Sequence, residues 1–378
     1  MTTKTCRMCG RPLYPIPLLH YDNMPKAAQH FPDSAALHGE HGTDLTIVQC
    51  SGCSLVQLDS EPVPYYREVI RAAGISDVIR EGKTRQFRDF IDRFSLRGKK
   101  VVEIGCGRGE FLALLDPLHV AAYGIEYGDA AVTHCRQKGL RVAKHYLAPG
   151  VVLEDGPFDA FFFLMFLEHM PDPNAALKSL HDNLTPGAVG LIEVPNFDMM
   201  LRNKLFSEFI ADHLIYFTAE SLRTTLNTNG FEVLEFGEMR DEYVLAATVR
   251  RRERLDLSHF RQCQDTLKKE LHHFIDGFGE KKVAVWGAGH QSLAVIALTK
   301  VAAKLRYVVD SAPFKQGLFT PATHLPIVAP ERIRLDPVDA VIIICGSYSD
   351  EVKDIIRRDC DKGIAVSILR DYGLERVG

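Results

Sequence analysis

One pattern constrains the fold of this 378-residue chain more than any other, because it occurs twice: apolar strand, glycine turn, apolar segment, second strand, acid. In the first copy Val101-Val102-Glu103-Ile104 follows the solvated Lys99 and Lys100 and runs into Gly105-Cys106-Gly107-Arg108-Gly109. A helical spacing of Phe111, Leu112, Leu114 and Leu115 comes next. The strand Ala121-Ala122-Tyr123-Gly124-Ile125 then ends in Glu126, 21 residues beyond Gly105. Strand, glycine turn and helix make the nucleotide-approach unit of a doubly wound α/β sheet, and an acid at that distance can accept the ribose hydroxyls of an adenosine. The glycines are spaced G-x-G-x-G, without the G-x-G-x-x-G of the dinucleotide fingerprint.

The second copy is Val283-Ala284-Val285-Trp286, then Gly287-Ala288-Gly289-His290-Gln291-Ser292, then Leu305-Arg306-Tyr307-Val308-Val309 ending in Asp310, 23 residues beyond Gly287. Before it, Phe260, Cys263, Leu267, Leu271, Phe274 and Phe278 recur at helical spacing and predict a packing stripe on one long helix. Arg250-Arg251-Arg252-Glu253-Arg254 reads as a solvated linker rather than a binding patch. A buried strand is expected over residues 338–345. Two readings of this copy stay open. It is a second nucleotide site, or its glycines serve close packing; no lysine neighbours the turn to secure a phosphate.

Nine cysteines are too few for a disulfide scaffold, yet four of them fall in the first 53 residues as two C-x-x-C pairs, Cys6/Cys9 and Cys50/Cys53. Each pair aims two thiolates at one point, and together they complete a tetrahedral shell for a structural zinc ion. The 40 residues between the pairs exceed the usual interval, so a folded insert is expected there.

Composition excludes classes rather than naming one. With 46% apolar and 25% charged residues the chain is ordinary globular protein. A formal charge of −4 gives no electrostatic footprint for nucleic acid or a membrane surface. The apolar runs are too short to span a bilayer, and MTTKTCRMCG lacks the order of a signal peptide, so a cytoplasmic protein is expected.

Glu103 turns the first glycine string into E-x-G-x-G-x-G, which resembles motif I of class I S-adenosylmethionine-dependent methyltransferases. The stretch from Phe158-Asp159-Ala160 to Leu167-Glu168-His169-Met170-Pro171-Asp172-Pro173 is similar to later motifs of that class. So are Leu184-Thr185-Pro186-Gly187-Ala188 and Gly190-Leu191-Ile192-Glu193-Val194-Pro195-Asn196. Over almost its whole length the chain resembles the sugar C-methyltransferases that act on nucleotide-linked 4-keto sugars. Cys53-Ser54-Leu55-Val56-Gln57-Leu58, Tyr307-Val308-Val309-Asp310, Lys315-Gln316-Gly317 and the string Thr320-Pro321-Ala322-Thr323-His324-Leu325-Pro326-Ile327 carry that likeness. The resemblance implies an α/β fold with a class I methyltransferase Rossmann-like core. The expected domains are zinc-binding over residues 1–66, methyltransferase over 67–250 and Rossmann-like, substrate-associated over 251–378.

For the cofactor, S-adenosylmethionine, the resemblance points to Glu103, Gly105, Gly107, Glu126, Leu167 and His169. It places the catalytic segment at Ile210-Ala211-Asp212-His213-Leu214-Ile215-Tyr216-Phe217. His213 matches the family's base, Asp212 stands for its glutamate, and Tyr216 is expected to line the substrate pocket. A neutral imidazole suits removal of a proton alpha to a ketone at neutral pH. The plainer reading makes His213 a structural histidine. Two positions depart from the family: Ile210 stands where it has a tyrosine, and Gln291 where it has the lysine of G-A-x-x-K. The expected partner is a small molecule, and the oligomeric state is not legible. Alternatives are a methyltransferase of the same architecture acting on carbon or oxygen of another small acceptor, and a non-catalytic binding homologue.

Overall fold

A computed structural model describes residues 5–26, 31–67, 75–360, 363–371 and 373–377. The chain divides into two units, Met1–Glu253 and Arg254–Gly378. Among the described residues no helix is long and apolar enough to cross a membrane.

The first unit begins with an antiparallel meander of β1 (Leu19–Met24), β2 (Thr43–Gln49) and β3 (Val56–Leu58), so the interval between the cysteine pairs is folded. The main sheet then builds from β4 (Lys100–Ile104), β5 (Ala121–Glu126), β6 (Val142–Lys144), β7 (Phe158–Leu164) and β8 (Leu184–Pro195), all parallel to their neighbours among these five. The chain next returns to the meander: β9 (Ile215–Tyr216) pairs with β3, which ties the segment after His213 to the cysteine-bearing sheet. Two antiparallel strands, β10 (Phe231–Met239) and β11 (Val244–Arg251), finish the main sheet in the order β10-β11-β8-β7-β4-β5-β6.

Parallel strands buried on both faces must be apolar on both. β7 meets that demand with Phe158, Phe161, Phe162 and Phe163, all fully buried. Phe162 stacks on Phe87 of the helix Asp77–Arg93, and Phe161 meets Phe231 edge-on from the other face. Strand order reverses at β4, which lies between β5 and β7. Ligands of open α/β sheets bind at such a point, beyond the carboxyl ends of the strands.

The helix expected after the glycine turn is replaced by two short 3₁₀ turns, Leu112–Leu114 and Asp116–Leu118. Pro117 explains the change: it offers no N–H and disfavours helical geometry at Asp116.

The second unit is one sheet of β12 (Val283–Trp286), β13 (Leu305–Val309), β14 (Ile327–Val328), β15 (Ala340–Ile343), β16 (Ala365–Arg370) and β17 (Gly373–Val377). Its order is β14-β13-β12-β15-β16-β17, parallel except for β17. The long helix is Ser258–Asp276, but it buries only Leu271, Phe274 and Ile275, leaving Phe260 and Cys263 exposed. A helix of 19 residues runs about 28 Å. The five- and six-residue strands at that edge span about 20 Å at most, so the stripe outruns its sheet.

Candidate active site

Four thiols converge at the start of the first unit. Sγ of Cys6 lies 3.5 Å from that of Cys53, and Sγ of Cys9 lies 3.4 Å from that of Cys50. All four fall within 4.8 Å of one another. A disulfide would need about 2.05 Å. Four thiolates each about 2.3 Å from one tetrahedral ion are about 3.8 Å apart, which is the spacing approached here. The N–H groups of Met8 and Cys9 point at Sγ of Cys6, and those of Gly52 and Cys53 at Sγ of Cys50. Such donors support thiolate charge, and the soft four-sulfur set fits zinc.

The switch point of the main sheet carries a cleft lined by Gly105, Glu126, Tyr127, Tyr146, Phe166 and Met170, among others. The Glu126 carboxylate accepts N–H bonds from Gly107 at 2.8 Å, Tyr127 at 2.8 Å and Gly128 at 2.9 Å, so it is fixed at the strand tip. The two glycines have different reasons to be there. Gly105 has φ +68°, and a Cβ on it would stand 2.7 Å from the Phe166 ring. Gly107 has φ +55° and open space where its Cβ would be, the kind of surface a ligand can approach closely. Glu103 is buried in β4. Leu167 and His169 are not among the lining residues. Leu167 joins the core, and His169 turns toward residues 212 and 213, leaving Phe166 and Met170 on the cleft.

Arg67 also lines the cleft, its guanidinium 5.2, 5.5 and 5.0 Å from the ring centres of Tyr66, Tyr127 and Tyr146. No motif marked this cage; the run Tyr65-Tyr66-Arg67 was its one visible trace.

His213 sits half-buried, its ring centre 4.7 Å from that of His169 at an interplanar angle of 75°. Burial, with the neighbouring His169 adding to it, holds the His213 imidazole well below its ordinary pKa, so the ring is a neutral base. Among the described residues no hydrogen bond engages that ring. Asp212 does not hold it. The Asp212 carboxylate accepts the Tyr65 hydroxyl at 2.6 Å, and the Asp212 carbonyl accepts Nδ1–H of His169 at 2.7 Å. Tyr216 is buried in a hydrophobic cluster, and its hydroxyl exchanges bonds with the backbone of Ile210, accepting from N–H at 3.0 Å and donating to C=O at 3.4 Å. It therefore shapes the loop that carries His213 instead of opening onto a pocket.

The glycine turn of the second unit repeats the packed first glycine and the open one two residues on, Gly289, but holds its acid differently. A Cβ on Gly287, at φ +114°, would lie 2.5 Å from the carbonyl oxygen of Ile344, so this glycine is required by packing. The Asp310 carboxylate accepts N–H bonds from Ala288 and Ala312 at 2.8 and 2.9 Å and pairs with Lys315 at 2.9 Å. Burial alone would raise its pKa; the two N–H donors and Lys315 bring it below the usual value.

Comparison with known proteins now bears on this geometry. Residues 79–235 match the methyltransferase domain family, and residues 247–366 match the C-methyltransferase C-terminal domain. Over 387 aligned residues the chain is 22% identical to the C-methyltransferase NovU of Streptomyces niveus, covering 92% of this chain and 91% of that one. The chain belongs to a C-methyltransferase family. This C-methyltransferase is also 31% identical over 102 residues to the ubiquinone biosynthesis O-methyltransferase of Pseudomonas putida, a match of 25% of the chain and 44% of that protein. The magnesium protoporphyrin IX methyltransferase of Synechocystis PCC 6803, solved with bound SAH, aligns with 47% of the chain at 16% identity and a TM-score of 0.39, covering 89% of that structure. The enzyme is an S-adenosylmethionine-dependent C-methyltransferase with a class I Rossmann-like core and an additional C-terminal domain.

Proposed function

We propose that this C-methyltransferase acts on a carbon alpha to the ketone of a nucleotide-activated keto sugar. His213 is the base that exposes that carbon. The observation that carries the reading is the His213 ring itself: half-buried, neutral, and with no hydrogen bond engaging it among the described residues. When bound, S-adenosylmethionine supplies an electrophilic methyl group. Gly105, Gly107 and Glu126 would hold it, with Glu103 buried behind them in β4. His213 takes the proton from the carbon while the electron pair stays on the substrate as an enolate, and orientation of that carbon supplies much of the rate. Tyr65 and Asp212 form a hydroxyl–carboxylate pair beside the base, and Tyr216 fixes the loop. The sugar reading rests on the whole-length sequence resemblance and its strings in the C-terminal domain. Cys6, Cys9, Cys50 and Cys53 are assigned to one structural zinc ion, and the three-domain division at residues 66 and 250 belongs to the same reading.

The test is methyl transfer to a panel of nucleoside-diphosphate keto sugars, with solvent-deuterium exchange at the alpha carbon measured in parallel. Exchange that survives without cofactor and disappears in His213→Ala supports the reading. Full turnover in His213→Ala removes the base assignment, and transfer confined to oxygen acceptors removes the keto sugar. Metal analysis should find one zinc per chain in the wild type and none in Cys50→Ser.

A further inference from the structure

Next to the base lies a carboxyl group that none of the steps above uses. Glu168 is 1% exposed, and among the described residues its Oε2 has no hydrogen-bond partner. One of its carboxylate oxygens and one ring nitrogen each of His169 and His213 lie within 4.8 Å of one another. Oε1 of Glu168 stands 3.9 Å from Nε2 of His169. Because Nδ1 of His169 faces the Asp212 carbonyl at 2.7 Å, that nitrogen carries the proton and Nε2 is a bare acceptor. Two acceptors thus face each other beside His213, an arrangement that invites a proton between them.

The other groups around Glu168 do not answer that demand. Tyr243, whose phenol feels the Glu168 charge, spends its hydroxyl on Glu208 at 2.9 Å. Asp212 is engaged by Tyr65. Among the described residues no lysine or arginine pairs with Glu168. A buried carboxyl with an open oxygen costs stability wherever it sits, so its presence calls for an explanation.

We infer that Glu168 is a positioning residue for the base: its carboxylate stabilises the imidazolium formed at His213 and then takes over the proton. The inference rests on the proposed role of His213. The balance is simple. A C–H bond of the substrate breaks and an N–H bond forms at His213, the electron pair remaining on the substrate. That N–H bond then breaks as an O–H bond forms at Glu168, restoring the neutral ring. One proton is released per methyl group transferred, so it needs a route out of a buried site, and Glu168 provides the next stop. Burial pushes the Glu168 carboxyl up to about 8, so its carboxylate form grows in as pH rises through that value.

The experiment follows kcat and KM against pH for the wild type and Glu168→Gln, using a nucleoside-diphosphate 4-keto hexose, with titration of S-adenosylhomocysteine as the control for folding. The expected result is a 10- to 100-fold loss in kcat at near-constant KM, with the rise in rate near pH 8 abolished. A loss with an unchanged pH profile would mean a merely structural role and would overturn the inference. A second readout needs no substrate. In protein labelled with ¹⁵N-histidine, the His213 ring should report a titration step near pH 8 that vanishes in Glu168→Gln. Absence of that step in the wild type overturns the inference equally. His213→Ala separates the two ideas. If it keeps deuterium exchange, the base reading fails; if it loses exchange while Glu168→Gln behaves as wild type, only the role of Glu168 fails.

Discussion

The two glycine turns share a sequence plan and differ in what they leave unspent. In the first unit the acid at the strand tip, Glu126, receives only backbone N–H groups among the described residues, and Gly107 faces open space. In the second unit Asp310 receives two N–H groups and a lysine, and Gly287 is pressed against the carbonyl of Ile344. The first glycine is packed in both turns, Gly105 on Phe166 and Gly287 on Ile344, and the one two residues on, Gly107 or Gly289, has open space in both. The same strand–turn–acid string therefore differs in how its acid is held: by backbone N–H groups in one unit and with a lysine added in the other. A motif specifies the backbone path; whether a ligand fits depends on what the rest of the chain sends to the turn.

Two buried acids carry the contrast furthest. Glu168 is raised to about 8 by burial, so its proton is held more tightly folded than unfolded. A raised carboxyl makes the protein lose stability as pH climbs from the unfolded value near 4.5 to about 8. Glu168→Gln should therefore be more stable than the wild type at pH 8.5, by about 5 kcal/mol at most, and equal to it near pH 4.5. Asp310 is lowered, so its contribution is present above its unfolded value near 3.8 and is lost as pH falls further. Asp310→Asn should be the less stable variant at pH 7, with the difference closing in acid. Denaturant midpoints across pH check both, and curves of the same sign would break the contrast.

Alanine at the two glycines gives the next largest effect. Gly287→Ala must push a methyl group into the Ile344 carbonyl at a φ that side chains avoid, which costs about 3 kcal/mol. Gly107→Ala meets only the left-handed backbone cost of about 1 kcal/mol, yet places its methyl group where a ligand approaches. Urea unfolding should penalise the first, and titration of S-adenosylhomocysteine the second. Equal stability losses would show that Gly107 too is a packing glycine.

Exchange of the acids sharpens this at about the 100-fold level. Glu126→Ala is expected to weaken S-adenosylhomocysteine by that factor, about 2.7 kcal/mol, as a charge-assisted pair is worth about 1.5–3 kcal/mol. Asp310→Ala should leave affinity within twofold. Calorimetric titration decides, and a large loss in Asp310→Ala would favour the reading of the second turn as a nucleotide site.

What the sequence disclosed, and what it hid, follows from range. The strands at 101–104, 121–126, 283–286 and 305–309 are short apolar runs ending in glycine or acid, and local pattern suffices to find them. Each C-x-x-C turn is local as well; the pairing of the two turns follows from the demand for four ligands. The bond between Tyr65 and Asp212 joins residues 147 apart, and no local spacing announces it. It sets a phenol from the N-terminal part beside Asp212, in the segment proposed as catalytic, where Ile210 stands at the tyrosine position of the family the sequence resembles. Glu168 stood in plain view beside His169, but its orphaned oxygen is a property of burial, which the string Leu167-Glu168-His169 cannot express. The missing helix after Phe111 was legible in Pro117 and outweighed by the leucine spacing.

The smallest expected effect tests how the open site is kept. Arg67 is held over three tyrosine rings and bonds the Tyr66 hydroxyl at 2.9 Å, and no carboxylate pairs with it among the described residues. Lys315 in the second unit is instead tied to Asp310. The cleft around Arg67 has a cavity volume of only about 10 Å³, against the roughly 300–1,000 Å³ of small-molecule sites, so the guanidinium stands in room a cofactor needs. Displacing it costs about 0.5–1 kcal/mol of cation–π attraction. Arg67→Ala should then bind S-adenosylhomocysteine about two- to fivefold more tightly. Weaker binding would give Arg67 the opposite role, a lid folded onto the bound cofactor. In that case the first turn, like the second, would depend on a cation to complete it, and the difference between the two units would narrow to whether that cation can move.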